Sequence, residues 1–272
     1  MESKELVQKT QQIKLDCLKM CIDAGQGHVT SAFSCAELLV ALYYEIMQYD
    51  PNNPEWAGRD RFVMSKNHAS VLLYPILKDV GFFDKEVDFM GNGSRFGGHS
   101  KKGIPGVEFS GGSLGIGLGV ACGMAYAAKM SGQNYKIYVL VGDGECYEGA
   151  IWESIMFAAH NNLDNLIMYI DRNHMAITDY TENMLKLEPL EDKLIAFGWN
   201  AETINGHDID EILMASLRKT ETKKPRCIIC NTVKGNGVSS MSNKMFKHGI
   251  APRGKEAEAA ISELEERIKN GI

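Results

Sequence analysis

The sequence predicts an α/β fold, a three-layer parallel sheet with helices on both faces, and three observations carry that expectation. Helix and strand signals alternate along the 272 residues. The stretches 137–141 and 166–170 are unbroken apolar runs without the polar alternation of a half-exposed sheet, as expected for strands covered on both sides. No Pro/Gly/Ser-rich linker, low-complexity tract or internal repeat interrupts the alternation, so residues 1–272 read as a single domain.

Taken in order, residues 4–24 form an amphipathic helix ending at Gly25. Ser34 reads as the N-cap of a second helix, 35–47, with Leu38, Leu39, Leu42 and Ile46 at helical spacing. Residues 61–65 are a short strand and 68–79 a helix. The stretch 84–111 holds seven of the 27 glycines and no clear period, which predicts a long functional loop. A small-residue helix follows at 114–131, then the buried strand 137–141, a helix at 148–161 and the buried strand 166–170. Beyond these, 187–197, 208–219 and 253–269 read as helices, and 200–204 and 226–233 as strands.

Composition narrows the function. Hydrophobic residues at 44% and charged residues at 24% are ordinary for a globular protein. Lys and Arg number 29 against 35 Asp and Glu, giving −6, so a dedicated nucleic-acid binder with a basic face is not expected. No apolar run approaches the roughly 20 residues that cross a bilayer. The start Met1-Glu2-Ser3-Lys4-Glu5 does not read as a signal peptide, so the expectation is a cytoplasmic enzyme or binding module with no membrane or nucleic-acid partner. Seven cysteines then read as reduced thiols. Cys227 and Cys230 have CxxC spacing, but on a strand their sulfurs point to opposite faces, which favours buried structural thiols over a metal or redox pair. Cys17 and Cys21 read as core.

The most informative stretch is strand 137–141, Gly142-Asp143-Gly144, helix 148–161, strand 166–170 and Asp171-Arg172-Asn173. A strand–helix–strand crossover sets Asp143 and Asn173 just beyond the carboxyl ends of two parallel strands, where open α/β sheets bind ligands. Two glycines flanking a carboxylate let the backbone approach an anion closely. Asp143 and Asn173 supply hard oxygens, which suit Mg2+ or Ca2+. Gly-Asp-Gly alone would be only a turn; the 28 residues separating Gly144 from Asn173, with the elements between, favour a site. A nucleotide-binding domain fits less well, because G-x-G-x-x-G is absent there.

That segment resembles the thiamine diphosphate-binding motif, and the rest of the chain resembles the N-terminal, diphosphate-binding part of transketolases. The matching stretches include Gly27-His28, residues 59–68, Gly97-Gly98-His99 and residues 111–117. They continue through Glu148-Gly149, Asn205-Gly206-His207-Asp208, Thr232-Val233-Lys234-Gly235 and Lys247-His248-Gly249. The resemblance implies that Asp143, Asn173 and the backbone carbonyl of Met175 ligate Mg2+ or Ca2+. It implies cofactor contacts from Gly144, Gly112, Ser113, Leu114, His68, His248 and again Asn173. It makes His28, His99 and His248 catalytic groups toward the ketose oxygens, and Glu148 a carboxylate near a two-fold between active sites. Imidazole suits that work, since its ordinary pKa of about 6.5 lets it donate or accept near neutrality. His160 and His207 read as structural, and His174 receives no role.

Departures from the family pattern are Val29-Thr30 in place of Pro-Gly, Asn67 in place of a glycine, His174 where many relatives have Gly, and residues 243–248. Gly119 and Gly123 read equally well as sites of close helix packing. Family enzymes are more than twice this length, and the missing part binds the aminopyrimidine ring and the sugar phosphate. The resemblance therefore implies the N-terminal subunit of a split transketolase in an α2β2 heterotetramer, working with a separate chain that carries the pyrimidine-binding and C-terminal domains. With it, the chain would transfer a two-carbon ketol unit from a ketose phosphate to an aldose. The α subunit of a 2-oxoacid dehydrogenase, or a non-catalytic module of the same fold, are the alternatives.

Overall fold

Five strands and ten helices make up a computed structural model of the chain, which describes residues 1–219, 222–245 and 248–271. The strands are β1 (Arg61–Met64), β2 (Ile137–Gly142), β3 (Leu166–Arg172), β4 (Asn200–Asn205) and β5 (Arg226–Asn231). They pair in the order β1-β2-β3-β5-β4, every pair parallel. The helices are α1 (Ser3–Asp23), α2 (Val29–Phe33), α3 (Ala36–Ala41), α4 (Ser70–Asp79), α5 (Ile116–Met130), α6 (Gly149–His160), α7 (Thr181–Met184), α8 (Leu190–Ala196), α9 (Ile209–Leu217) and α10 (Lys255–Asn270).

Period-two alternation divides the strand side chains between two apolar layers, which is why β2 and β3 read as unbroken apolar runs. Tyr138, Leu140, Ile167 and Tyr169 join the core under α1, α3, α4 and α9. Ile137, Val139, Val141, Leu166, Met168 and Ile170 join the core under α5, α6 and α8. Cys230 lies in the first layer and Cys227 in the second, so the CxxC pair faces two ways across the sheet, as its spacing predicts. All seven cysteines are buried and free. The expected three-layer α/β architecture is therefore the observed one.

Most boundaries fall within a few residues of those expected, and the larger differences have local reasons. Ser34 does not cap a helix running 35–47. Its hydroxyl lies 2.5 Å from Asp171 Oδ2 and donates there, so Cys35 takes the cap position of α3. The preceding residues coil into the separate helix α2, and α3 widens into a π turn over Leu42–Ile46. Strand β5 stops at Asn231 because Thr232 Oγ1 turns to Asp171 and the Val233 N–H turns to His207 Nε2 (2.8 Å). The helix expected from 187 starts at Leu190, since a proline at 189 disfavours helical backbone in the residue before it. Asp208 caps α9, accepting from the Asp210 and Glu211 N–H groups at 2.9 and 3.1 Å.

Glycine in α5 has two opposite uses. At Gly117 an added Cβ would sit 2.7 Å from the Ser65 Cα, because the helix start crosses the end of β1 against its backbone. Gly119 would meet only Ser154 Oγ at 3.3 Å, and Gly123 nothing within 4 Å, so the close packing expected at Gly123 is not found. In the isolated chain Gly117→Ala should lower stability by about 1–3 kcal/mol through overpacking. Gly123→Ala should raise it by up to about 1 kcal/mol, roughly 2 °C in Tm, by helix propensity alone. Thermal unfolding of the two variants checks the contrast.

Candidate active site

The carboxyl ends of β1, β2, β3 and β5 open onto one cavity of about 380 Å3. Lys66 and His68 follow β1, Asp143 and Gly144 follow β2, Asn173 and Met175 follow β3, and Lys234 follows β5. Leu114 and His248 close the lining from the loops before α5 and α10. Of the residues expected at a site, the cavity thus gathers Asp143, Gly144, Asn173, Met175, Leu114, His68 and His248. His28 and His99 border it through ring contacts. Gly112, Ser113 and Glu148 are exposed and do not line it.

Asp143 is buried, with 1% of its surface exposed. Its Oδ1 accepts from the Gly144 N–H at 2.8 Å; its Oδ2 accepts from the His174 N–H at 2.6 Å and from Arg172 Nη1 at 3.2 Å. Burial and the neighbouring Asp171 push its carboxyl up to about 6 against the pull of Arg172. The His174 N–H reaches it because His174 takes a left-handed backbone, φ 64°, at the position where the family pattern often has Gly. Asn173 Nδ2 donates to Asp171 Oδ2 at 3.1 Å, leaving its Oδ1 as the acceptor facing the Met175 N–H at 3.2 Å.

Asp143, Asn173 Oδ1 and the Met175 carbonyl are a hard-oxygen donor set with one charge. That fits a Mg2+ or Ca2+ ion whose remaining ligands come from a bound polyanion and water. A divalent cation would also reverse the electrostatic pressure that holds the Asp143 carboxyl up. Among the described residues no cluster of three His, Cys, Asp or Glu side chains could hold a metal by itself, so a thiophilic or imidazole-bound ion has no site here.

Four histidines from four separate segments meet at the cavity. His28 stands edge-on to His68, His99 and His248, with ring centroids 5.4, 6.1 and 4.9 Å away, and His68 lies 5.4 Å from His248. Burial holds all four below the ordinary imidazole range, His248 down to about 4 and His68 well below its usual value. The charges of Lys66 and Lys234 add to this at His28, His68 and His248. At neutral pH these rings are uncharged and can each donate and accept one hydrogen bond. Phe246 and Lys247, next to His248, lie outside the described residues.

Several groups that hold the site together were not singled out from the sequence. Asp171 accepts from Lys66 Nζ, Ser34, Thr232 and Asn173. Glu145, 2% exposed, accepts from Ser65 Oγ (2.5 Å) and the Gly115 N–H (2.9 Å) on one oxygen and from the Gly142 N–H (3.0 Å) on the other. It thereby ties the loop before α5 to the end of β2. Arg172 joins Asp143 to Glu182 (2.8 Å) and Glu188 (3.0 Å), fastening the segment around α7 beside the cavity. His207, read as structural, does more than border a turn. Its Nε2 accepts from Val233 and its Nδ1 faces Glu37 Oε2 at 3.0 Å. The available signal was an apolar-strand end carrying charge: Lys66 and Asp171-Arg172 each follow or finish a buried strand, where an ionic side chain needs a partner.

Comparison with known proteins agrees with this geometry. Residues 3–266 match the family model described as transketolase, thiamine diphosphate binding domain. An apulose-4-phosphate transketolase subunit from Phocaeicola vulgatus is 43% identical over 250 residues, 90% of this chain and 89% of that protein. The 6-deoxy-6-sulfo-D-fructose transketolase subunit of a Clostridium species is 42% identical over 245 residues, 89% of each. Human transketolase is 33% identical over 261 residues, but the alignment covers 42% of its length. The transketolase structure from Campylobacter jejuni superposes with a TM-score of 0.88 at 30% identity, over 98% of this chain and 42% of that one.

The histidine cluster sets an acid limit on stability. A ring held below its unfolded pKa binds fewer protons in the folded state, so its contribution is present above about pH 6.5 and is lost as pH falls toward 4. Asp143, held up to about 6, works in the opposite sense over part of that range. Replacing His248 by Gln removes one imidazole without touching Asp143. The Tm of His248→Gln should therefore fall less steeply than wild type between pH 6.5 and 4; parallel profiles would show that this ring is not held neutral by the fold.

Proposed function

This chain belongs to the transketolase family through its thiamine diphosphate-binding domain, and from that membership we propose that it is the diphosphate-binding subunit of a two-chain transketolase. The observation that carries the reading is the joining of a hard-oxygen set and four neutral imidazoles in one cavity at the ends of a parallel sheet. Asp143, Asn173 and the Met175 carbonyl would hold Mg2+ (or Ca2+). Gly144, Gly112, Ser113, Leu114, His68 and His248 would lie along thiamine diphosphate, which when bound supplies the electron sink for carbon–carbon bond cleavage. His28, His99 and His248 would hydrogen-bond the oxygens of a ketose phosphate and of the aldose acceptor. An uncharged ring can accept a proton from a hydroxyl and, once it has done so, return it to an oxyanion as a two-carbon ketol unit changes hands. The exposed Gly112, Ser113 and Glu148 would meet the cofactor and a neighbouring protomer from that side.

The partner in this reading is a separate chain carrying the pyrimidine-binding and C-terminal domains, in an α2β2 assembly in the cytoplasm. Two features support it. Relatives named as subunits are matched over 89% of their length, whereas human transketolase is matched over 42%. Apolar side chains lining the cavity also stay exposed, Ile177 at 62% and Met184 at 48%, and Ile116, Met130 and Met156 are exposed on α5 and α6.

The purified chain with thiamine diphosphate and Mg2+ should show no ketol transfer, and activity should appear when the partner chain is added. Ketol transfer by the single chain would sink the two-chain reading. Asn173→Ala should lower the affinity of the complex for Mg2+–thiamine diphosphate at least about tenfold by calorimetry. An unchanged affinity would favour a non-catalytic module. Turnover of 2-oxoacids rather than ketose phosphates by the reconstituted pair would favour the dehydrogenase class.

A further inference from the structure

The segment that carries the Met175 carbonyl is not held by the apolar core. Between His174 and Pro189 only Met175, Thr181 and Leu187 are buried, while Ile177, Tyr180, Met184 and Leu185 stay exposed. So little apolar burial does not offset the entropy lost on ordering the backbone. The segment nevertheless forms one wall of the cavity, through Met175, Ala176, Ile177, Thr178 and Met184. Backbone bonds close it into a loop: the Ala176 N–H donates to the Asp179 carbonyl and the Thr181 N–H to the His174 carbonyl, both at 3.0 Å. The Tyr147 hydroxyl adds one bond from outside, to the Thr181 carbonyl at 2.7 Å. A loop of this kind still needs a tie to the sheet.

Arg172, the last residue of β3, supplies it and is 1% exposed. Its Nη1 donates to Thr181 Oγ1 at 2.6 Å and to Asp143 Oδ2 at 3.2 Å. Its Nη2 donates to Glu182 Oε1 at 2.8 Å and to Glu188 Oε1 at 3.0 Å, and its Nε to Glu188 Oε1 at 3.1 Å. Every N–H of the planar guanidinium is thereby directed at an acceptor. The two glutamates are fixed in turn, Glu182 by the Leu187 N–H at 3.1 Å and Glu188 by the Leu190 N–H at 2.9 Å. Asp143, Glu182 and Glu188 share this one cation, so the cluster holds more negative charge than positive. A divalent ion at Asp143 would offset the surplus, and Arg172 would keep both glutamates as Asp143 turned to that ion.

We propose that Arg172 is a positioning residue for the metal-bound diphosphate: acting through Thr181, Glu182 and Glu188, it holds the loop that bears the Met175 carbonyl against the sheet edge before the cation arrives. The cost of ordering that loop is then met during folding and is not charged against binding. This inference rests on the thiamine diphosphate reading. It adds to that reading a residue that does not line the cavity and lies outside the metal and histidine sets.

The test compares the wild-type chain with Arg172→Gln and with the double variant Glu182→Gln/Glu188→Gln, whose side chains bond no expected metal ligand. Without ligand, amide hydrogen exchange over residues 174–187 should be slow in wild type and at least about tenfold faster in both variants, with β2 and β3 unchanged. Calorimetric titration with Mg2+–thiamine diphosphate should show an affinity at least about tenfold lower in both, and saturating ligand should restore slow exchange. A merely structural arginine would give a lower Tm with the affinity unchanged, and that result would overturn the proposal. Weaker binding by Arg172→Gln alone, with the double variant like wild type, would assign the effect to the Asp143 contact and would also overturn it. Unprotected exchange over 174–187 in the ligand-free wild type would overturn it as well, and this arm needs no variant to fold. Wild type that binds no Mg2+–thiamine diphosphate would overturn the cofactor reading and this inference together. Wild type that binds, with both variants binding equally well, would overturn this inference alone.

Discussion

Asp171 is the constraint on which the site depends. It ends a fully buried strand and is itself without exposed surface, yet it carries a charge. Burial alone would raise its carboxyl, but the Lys66 ammonium and the hydroxyls of Ser34 and Thr232 hold it below the usual carboxylate range. Those partners come from after β1, from the α2–α3 junction and from after β5. One side chain therefore fixes the relative height of three segments that line the cavity. Removing one member of such a buried pair costs about 3–5 kcal/mol, because the other charge is left uncompensated. That cost makes the carboxyl edge of the sheet rigid without any help from a ligand.

Rigidity at this edge is then passed outward through polar groups that each serve two segments. Asp171 takes one Asn173 amide hydrogen, which fixes which end of the amide is the acceptor: its oxygen already takes the Met175 N–H and keeps a second lone pair for a cation. Glu145 receives N–H groups from Gly115 and Gly142, so the cofactor loop and the strand end move as a unit. Arg172 satisfies Asp143 and at the same time grips Glu182 in α7 and Glu188 after it, holding that segment beside the cavity. Each bond is modest alone; linked through shared carboxylates in a low-dielectric interior, they define one arrangement.

How much of this was legible in the sequence follows from the same distinction between local and shared groups. The sheet was legible because β2 and β3 are apolar on both faces, a property of each strand alone. Asp143 and Asn173 were legible because their spacing across a strand–helix–strand unit places both at neighbouring strand ends. Ser34 was misread for the opposite reason. Its residue type favours a helix cap locally, and only the three-dimensional arrangement brings Asp171, 137 residues away, to claim the hydroxyl. His207 was hidden likewise: a turn histidine acquires meaning only once β5 delivers Val233 to it.

The charge pattern of the cavity separates what the fold needs from what a ligand would use. Lys66 and Arg172 are buried cations, but Lys66 is paired with Asp171 and Arg172 keeps Glu182 and Glu188 even where Asp143 turns to a ligand, so their charges are internal matters of the sheet edge. The four imidazoles are neutral, because burial opposes their protonation and, at His28, His68 and His248, so do the neighbouring lysines. What remains facing the cavity, among the described residues, is a set of hydrogen-bonding rings, a carboxylate and amide oxygen suited to a hard cation, and the Lys234 ammonium, which meets no carboxylate there. A polyanion bridged by a divalent ion, with neutral hydroxyls and carbonyls beside it, satisfies all three at once. An uncharged apolar ligand would leave the ammonium and the oxygen set desolvated and unpaired, at a cost of several kcal/mol that contact with the cavity's apolar lining would not offset.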